Sequence, residues 1–394
     1  MNGVLRLKKL SLAIFTSTRA DYGVLSPLIN LLRDDPLFSV SLLITGTHLL
    51  KDFGNTGEEI SRDENVETKV ISSIDFDTDR PERLAKYFSH ILGEVTQFVR
   101  DKHIDYLVLL GDRLELLPVV LAGTVSQTPI IHLYGGELTH GAIDDAIRHA
   151  TTKLSHIHFT SCDKYRDRVI SLGEQPSFVF NVGALFVDNF RDLKALDAKG
   201  LEDLFGFNFD SATFLVTFHP ETMQPENTAS NLQTVLDAVS ELYKDFKFFF
   251  TLGNNDPLGR QFNQQIQDFV KTLASSNVSV APSMGKTAYL SALRLVAGVV
   301  GNSSSGIIEV PYFDIPTVNV GARQEGREMP DSVIRTKVNQ KDIIEAIRFS
   351  QTREFKETIR ASERIFGRGD SAQKIIDILK KIGGSRNMKI FYET

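Results

Sequence analysis

LSLAIFTSTRADYG, residues 10–23, decides the fold. Leu10–Phe15 is an apolar run of strand length with no polar alternation, and it leads directly into Thr16-Ser17-Thr18-Arg19 and a helical pattern at Val24–Arg33. A strand that is apolar on both sides has helices on both faces, which is the habit of parallel sheets in α/β proteins. The basic residues ahead of it give the segment a superficial likeness to a signal peptide. The apolar run is too short for one, however, and no small-residue cleavage pattern follows, so it reads as the first buried strand.

The same unit recurs outward from this stretch. Strands are expected at Ser39–Ile44, Tyr106–Leu110, Pro129–Leu133, His156–Thr160 and Phe178–Asn181, with helices at Glu82–Arg100, Glu115–Val125, Ala142–Leu154 and Lys164–Leu172. The pattern then restarts with strands at Thr213–Phe218, Lys247–Leu252, Val278–Ala281, Ala297–Gly301 and Thr317–Val320. Helices are expected at Pro225–Tyr243, Pro257–Leu273, Thr287–Leu295 and Gln340–Ser350. The polar stretch Arg191–Asp210 reads as the linker. Single cores rarely exceed roughly 250 residues, so a chain of 394 divides. The expectation is an α/β protein with two Rossmann-like, doubly wound domains. The first covers residues 1–185 and takes back a C-terminal helix at 370–394; the second covers 186–369. Open sheets of this kind bind ligands outside the carboxyl ends of their strands, and two of them facing a common cleft can hold one ligand from both sides.

A net charge of −6 argues against a nucleic-acid partner, and no stretch reaches the length needed to span a bilayer. The single cysteine, Cys162, excludes an internal disulfide and a cysteine-based metal cage, and points to a cytoplasmic setting.

The polar residues collect in loops after strands. Thr16–Arg19 offers hydroxyls, helix-start N–H groups and a guanidinium to an anion, without a Gly-x-Gly-x-x-Gly or Walker pattern. Gly111-Asp112-Arg113 ends a strand; its aspartate is either an acid/base or a helix cap. The densest cluster is HLYGGELTHGAIDDAIRH, residues 132–149, with His132, Glu137, His140, Asp144 and Asp145 around a Gly-Gly bend. Its spacing matches no standard zinc pattern, so no metal is expected. In the second half His219 and Asn254 follow strands. GNSSSG, residues 301–306, has the make-up of a backbone nest for a diphosphate, with Glu309 placed for ribose hydroxyls. Arg323 and Arg327 follow the last strand.

Taken together, TRADYG, GTHL, LLGDR, HLYGGE with IDDAIRH, TFHPET, GNSSSG and GARQEGRE resemble the hydrolysing UDP-N-acetylglucosamine 2-epimerases. The resemblance covers about Ser11 to Arg327 and is nearest the branch that starts sialic and related nonulosonic acid synthesis. It implies the GT-B fold and the conversion of UDP-N-acetylglucosamine and water to N-acetylmannosamine and UDP, through a 2-acetamidoglucal and without a cofactor. It also implies a homodimer or homotetramer. Residue by residue, it places Arg19, Arg113, His219, Asn254, Ser303, Ser304, Glu309 and Arg323 at UDP, Asp112 and Asp144 at proton transfer, and His48 near the sugar. Tyr134 departs from the pattern by standing where the branch has a catalytic glutamate, which leaves Glu137 or His132 to substitute. The segment around His140 is one residue longer than the pattern, so Asp144 and Asp145 compete for one role. The same departure resembles the branch acting on UDP-2,4-diacetamido-2,4,6-trideoxyglucose, on the way to legionaminic-type sugars. A GT-B glycosyltransferase is the alternative from another class.

Overall fold

In the computed structural model, Leu10–Thr16 forms the first strand, β1, and six more strands build on both sides of it. The structure describes residues 9–49, 60, 66–73, 80–138, 143–190, 193–219, 225–252, 257–384 and 389–393. The strands β2 (Phe38–Ile44), β3 (Glu67–Val70), β4 (Tyr106–Leu110), β5 (Ile130–Leu133), β6 (Ile157–Thr160) and β7 (Val179–Asn181) join β1 in the order β3-β2-β1-β4-β5-β6-β7. Every pairing is parallel; β1 runs from Leu10 opposite Phe38 to Thr16 opposite Ile44.

The sequence of β1 explains its central place. Leu12 and Ile14 point to one face, where they meet Leu25, Leu28 and Leu32 of the helix Arg19–Asp34 and Ile375, Ile376 and Leu379 of the helix Ser371–Ile382. Ala13 and Phe15 point to the other, against Tyr87, Ile91 and Val95 of the helix Pro81–Asp101. Each such aliphatic contributes about 1.5–3 kcal/mol when fully buried.

The chain divides into two compact units, Met1–Arg191 with Ile365–Thr394, and Asp192–Arg364. The second unit is wound in the same way. Strands β8 (Thr213–Thr217), β9 (Lys247–Thr251), β10 (Val278–Ala281), β11 (Gly298–Gly301), β12 (Thr317–Val320) and β13 (Val333–Thr336) lie in the order β10-β9-β8-β11-β12-β13, all parallel. In each sheet the order reverses beside the first strand, between β1 and β4 and between β8 and β11. That reversal opens a crevice at the strands' carboxyl ends.

The edge strands, the linker and the first helix depart from the sequence expectation. The edge strands β3 (ETKV) and β13 (VIRT) carry no apolar run, because an edge strand is partly solvated and needs none. The stretch read as a linker contains a helix, Ala198–Phe205, capped by Asp197. Phe205, Phe207 and Phe209 each pack edge-on or tilted against Phe249. The first helix starts at Arg19, five residues before Val24, because Thr18 caps it: its Oγ1 accepts from the Asp21 N–H at 3.1 Å.

The returning C-terminal segment is fastened to the first unit by polar contacts. Asp188 accepts from the backbone N–H groups of Ser371 (3.1 Å) and Ala372 (2.6 Å). Further on, Lys389 reaches Glu174 and the Ser155 carbonyl, and the Tyr392 N–H donates to Gly173 O at 3.0 Å. Glu174 is buried, which by itself would raise its pKa. Hydrogen bonds from His158 and Lys389, with Lys153 at 2.9 Å, outweigh that and hold it down at about 2. Among the described residues no helix is long and apolar enough to cross a membrane.

Candidate functional site

In the first unit the carboxyl ends of β1, β2, β4 and β5 carry the polar residues. Thr16 ends β1, Ser17 follows it, and Arg19 stands exposed in the first turn of the helix. His48, in the short 3-10 turn Gly46–Leu49 after β2, is fully buried with Nε2 2.9 Å from Thr16 Oγ1. Burial pushes its pKa down to about 4, so the ring is neutral at pH 7. Two carboxyl groups, Asp21 and Glu115, sit nearby with Arg113, whose Nε is 4.0 Å from Asp21. Burial raises both acids against the pull of that guanidinium.

The principal feature of this unit is Arg148. Its side chain is 3% exposed and meets three partners. Nη2 pairs with Asp112, Nη1 donates to the Glu137 carbonyl at 3.0 Å, and Nη1 also lies 3.4 Å from Asp145 Oδ1. The helix Ile143–Leu154 makes this possible, since Asp145 and Arg148 are three residues apart on one face. A buried guanidinium requires anionic partners, and Asp112 is therefore held as a carboxylate at the end of β4. Asp145 also lies 3.6 Å from His149 Nε2, whereas Asp144 takes part in neither pair. Of the two competing aspartates, Asp145 is the one tied down.

His132 and Tyr134 are placed by the same loop. His132 is fully buried with Nε2 2.7 Å from the Gly111 carbonyl and Nδ1 3.1 Å from Thr152 Oγ1. Burial pushes its pKa to about 3, so a neutral ring holds the residue next to Asp112. The Tyr134 hydroxyl accepts from the Phe186 N–H at 3.1 Å, its ring packs on the first unit's core, and burial raises its pKa. Its backbone is left-handed, with φ 65°, a conformation that costs a bulky side chain energy and is concentrated at functional loops. The bend that follows needs glycine: a Cβ on Gly136 (φ +84°) would collide with the Tyr165 carbonyl. Glu137 is buried and takes the Ser161 hydroxyl at 3.3 Å.

In the second unit the hub is Asn302. Its Oδ1 accepts from the His219 N–H at 2.7 Å and its Nδ2 donates to the His219 carbonyl at 2.9 Å. Its own carbonyl accepts from Arg323 Nη1 at 2.9 Å and Gln324 Nε2 at 2.8 Å. The loops after β8, β11 and β12 are thus tied through one side chain and one carbonyl. Gly301 (φ +141°) lets β11 approach β8, since a Cβ there would strike the Thr217 carbonyl. Ser303 and Ser304 precede a helix of four residues, Ser305–Ile308. A helix this short has little dipole, so any anion affinity here comes from hydroxyls and backbone N–H groups. Ser305 donates to Glu309 Oε2 at 2.8 Å, and burial pushes Glu309 up to about 7. Asn254 and His140 lie outside the described residues. Among the described residues no group of three or more His, Cys, Asp or Glu is placed to hold a metal.

Sequence reasoning gave no role to Arg148 or Asn302, although both stand inside quoted motifs. The three-residue spacing from Asp145 was the available signal for Arg148, whereas Asn302 was overshadowed by its serines.

Comparisons with known proteins bear on the family and the fold. The family model described as UDP-N-acetylglucosamine 2-epimerase matches residues 30–380. A GDP/UDP-N,N'-diacetylbacillosamine 2-epimerase (hydrolyzing) from Campylobacter jejuni is 34% identical over 351 residues, covering 89% of this chain and 90% of that protein. Polysialic acid biosynthesis protein P7 from Escherichia coli is 32% identical over 381 residues, covering 96% of each. The solved UDP-GlcNAc 2-epimerase from Neisseria meningitidis bound to UDP-GlcNAc superposes with a TM-score of 0.76 at 20% identity, over 94% of this chain and 99% of that one, and has the same fold.

Proposed function

Because the chain belongs to the UDP-N-acetylglucosamine 2-epimerase family, we propose that it is an enzyme that hydrolyses a UDP-linked 2-acetamido sugar with inversion at C2. The observation that carries this reading is Asp112, held as a carboxylate by the buried Arg148 at the end of β4. The loops of the second unit take the nucleotide, with the diphosphate on Ser303, Ser304 and Arg323 and the ribose on Glu309. Those of the first unit act on the sugar, with Arg19 and Arg113 as further cations.

The chemistry assigned to those groups is an elimination followed by an addition. One carboxylate removes the C2 proton as the C1–O bond breaks, the electron pair of that bond leaves with UDP, and a 2-acetamidoglucal remains. Water then adds its hydroxyl to C1 while a proton reaches C2 from the other face. Asp112 and Asp144 are the proposed base and acid. Asp144 suits a mobile proton because it is spared the pairing that ties Asp145 to Arg148 and His149. His132 is the positioning group for the Gly111-Asp112 turn, while His48 and Glu137 line the sugar side.

The Campylobacter relative favours UDP-N,N'-diacetylbacillosamine as the substrate, in keeping with a tyrosine at 134. The family description and the Escherichia coli polysialic acid biosynthesis relative support the second reading, UDP-N-acetylglucosamine on the way to sialic acid. Proton NMR in deuterated water, with each sugar offered on UDP and on GDP, tests both. Release of the nucleotide with deuterium at C2 of the freed sugar is the expected result. Sugar release with the C2 proton retained would exclude the epimerase chemistry, and turnover of the GDP sugars alone would overturn the nucleotide.

A further inference from the structure

Tyr289, on the helix Gly285–Ala292, was not singled out by any motif, yet its hydroxyl lies 2.6 Å from Ser305 Oγ. Ser305 in turn donates to Glu309 Oε2 at 2.8 Å. A serine hydroxyl has one hydrogen. When Glu309 is ionised, that hydrogen is committed to the carboxylate and Tyr289 is the donor to Ser305. We propose that Tyr289 and Ser305 form a one-way hydroxyl relay that fixes the Glu309 carboxylate as the acceptor for a ribose cis-diol, and so make the protein selective for ribonucleoside over deoxyribonucleoside diphosphates. This rests on the assignment of Glu309 to the ribose made above.

The surroundings support a fixed geometry. The turn bearing Ser305 is pinned from β12, where Thr317 Oγ1 donates to the Gly306 carbonyl at 2.7 Å and the Thr317 methyl leaves no room for a Cβ on Gly306. Ser303 Oγ accepts from the Ser305 N–H at 3.4 Å. The third serine of the loop therefore faces the carboxylate and not the diphosphate. Hydrogen bonds in series polarise one another, so Tyr289 strengthens the Ser305 bond that favours the charged form. Burial is the opposing influence on Glu309 and the dominant one, with Lys286 adding a weaker pull toward the charged form. Tyr289 and Ser305 are positioning residues: they act on the diol through Glu309.

The test is calorimetric binding of UDP, 2′,3′-dideoxyuridine 5′-diphosphate and pyrophosphate. Hydrogen bonds from a diol to a carboxylate make wild-type protein prefer UDP over the dideoxy analogue roughly 10–100-fold. Tyr289→Phe and Ser305→Ala are expected to cut that preference to about threefold while pyrophosphate affinity stays within about twofold. Ser305→Thr, which keeps the hydroxyl, retains the preference. The relay is overturned if folded Tyr289→Phe and Ser305→Ala keep the wild-type preference, if pyrophosphate affinity falls in step with it, or if Ser305→Thr loses as much as Ser305→Ala. A wild-type protein that binds UDP and the dideoxy analogue equally would remove Glu309 from the ribose, and the relay with it.

Discussion

The loops after β4 and β5 carry acids gathered on one buried guanidinium, whereas those after β8, β11 and β12 carry an amide hub, hydroxyls and a guanidinium that props a carbonyl. Both sheets wind in the same order around their first strand. Winding places the crevice; side chains decide its use. In the first unit Arg148 is 3% exposed and its charge must be answered by Asp112 and Asp145, which fixes carboxylates at the strand ends. In the second, the Asn302 side chain answers the backbone of His219, and its carbonyl answers the side chains of Arg323 and Gln324.

The sharpest way to break this division is Asp112→Asn. General acid–base groups contribute on the order of 10²–10⁴-fold, so kcat should fall by that range with the UDP dissociation constant unchanged. Loss of UDP affinity in step with kcat, read by calorimetry beside steady-state rates, would place Asp112 in nucleotide binding instead.

An acid at the opposite end of the same sheet sharpens the contrast. Glu174→Ala leaves Lys389 and Lys153 with carbonyl partners but without their counter-charge. A fully buried broken pair costs about 3–5 kcal/mol, and the partial exposure of both lysines brings the expectation to about 2–4 kcal/mol of stability in urea unfolding. Glu174 is held at about 2, below its ordinary 4.5. Its contribution is therefore complete above pH 4.5 and lost as the pH falls toward 2, and an acid titration of the variant should lack that part of the wild-type slope. A variant with unchanged stability would show that the lysines are satisfied by water.

Arg323→Ala probes the second unit. Losing a charge-assisted bond should weaken UDP by about 1.5–3 kcal/mol with little change in kcat at saturation. Unchanged UDP affinity would reduce Arg323 to its role of propping Asn302. The smallest effect is expected from Tyr134→Phe. The phenol accepts from the Phe186 N–H, so its removal should cost about 1 kcal/mol of stability and leave kcat within about fivefold. A severe loss of turnover would mean that the phenol itself carries a proton.

Both sheets were readable in the sequence because buried parallel strands are mostly apolar without alternation, as Leu10–Phe15 and Thr213–Phe218 are. The edges β3 and β13 were not, since half-solvated strands obey no such rule. The helix Ala198–Phe205 hid behind charged residues that mark its solvent face, while Leu201 is fully buried. The strand-end loops were legible as a set because residues that break the apolar pattern cluster there. What they do to one another was not: Arg148 reaches Asp112 across 36 positions and Tyr289 reaches Ser305 across 16, and neither separation leaves a periodic trace.

The core around Leu12 and Ile14 is closed by Ile375, Ile376 and Leu379, which are made long after it. Residues 192–364 belong to the other unit. At about 5–20 residues per second, a ribosome needs on the order of 10–35 s to deliver them. During that interval the nascent first unit carries a helix, Arg19–Asp34, with no neighbour for part of its apolar stripe. The second unit, continuous in sequence, has everything it needs to finish first. The unit that is started before the other is completed after it, and its uncovered stripe is where a chaperone would find this protein.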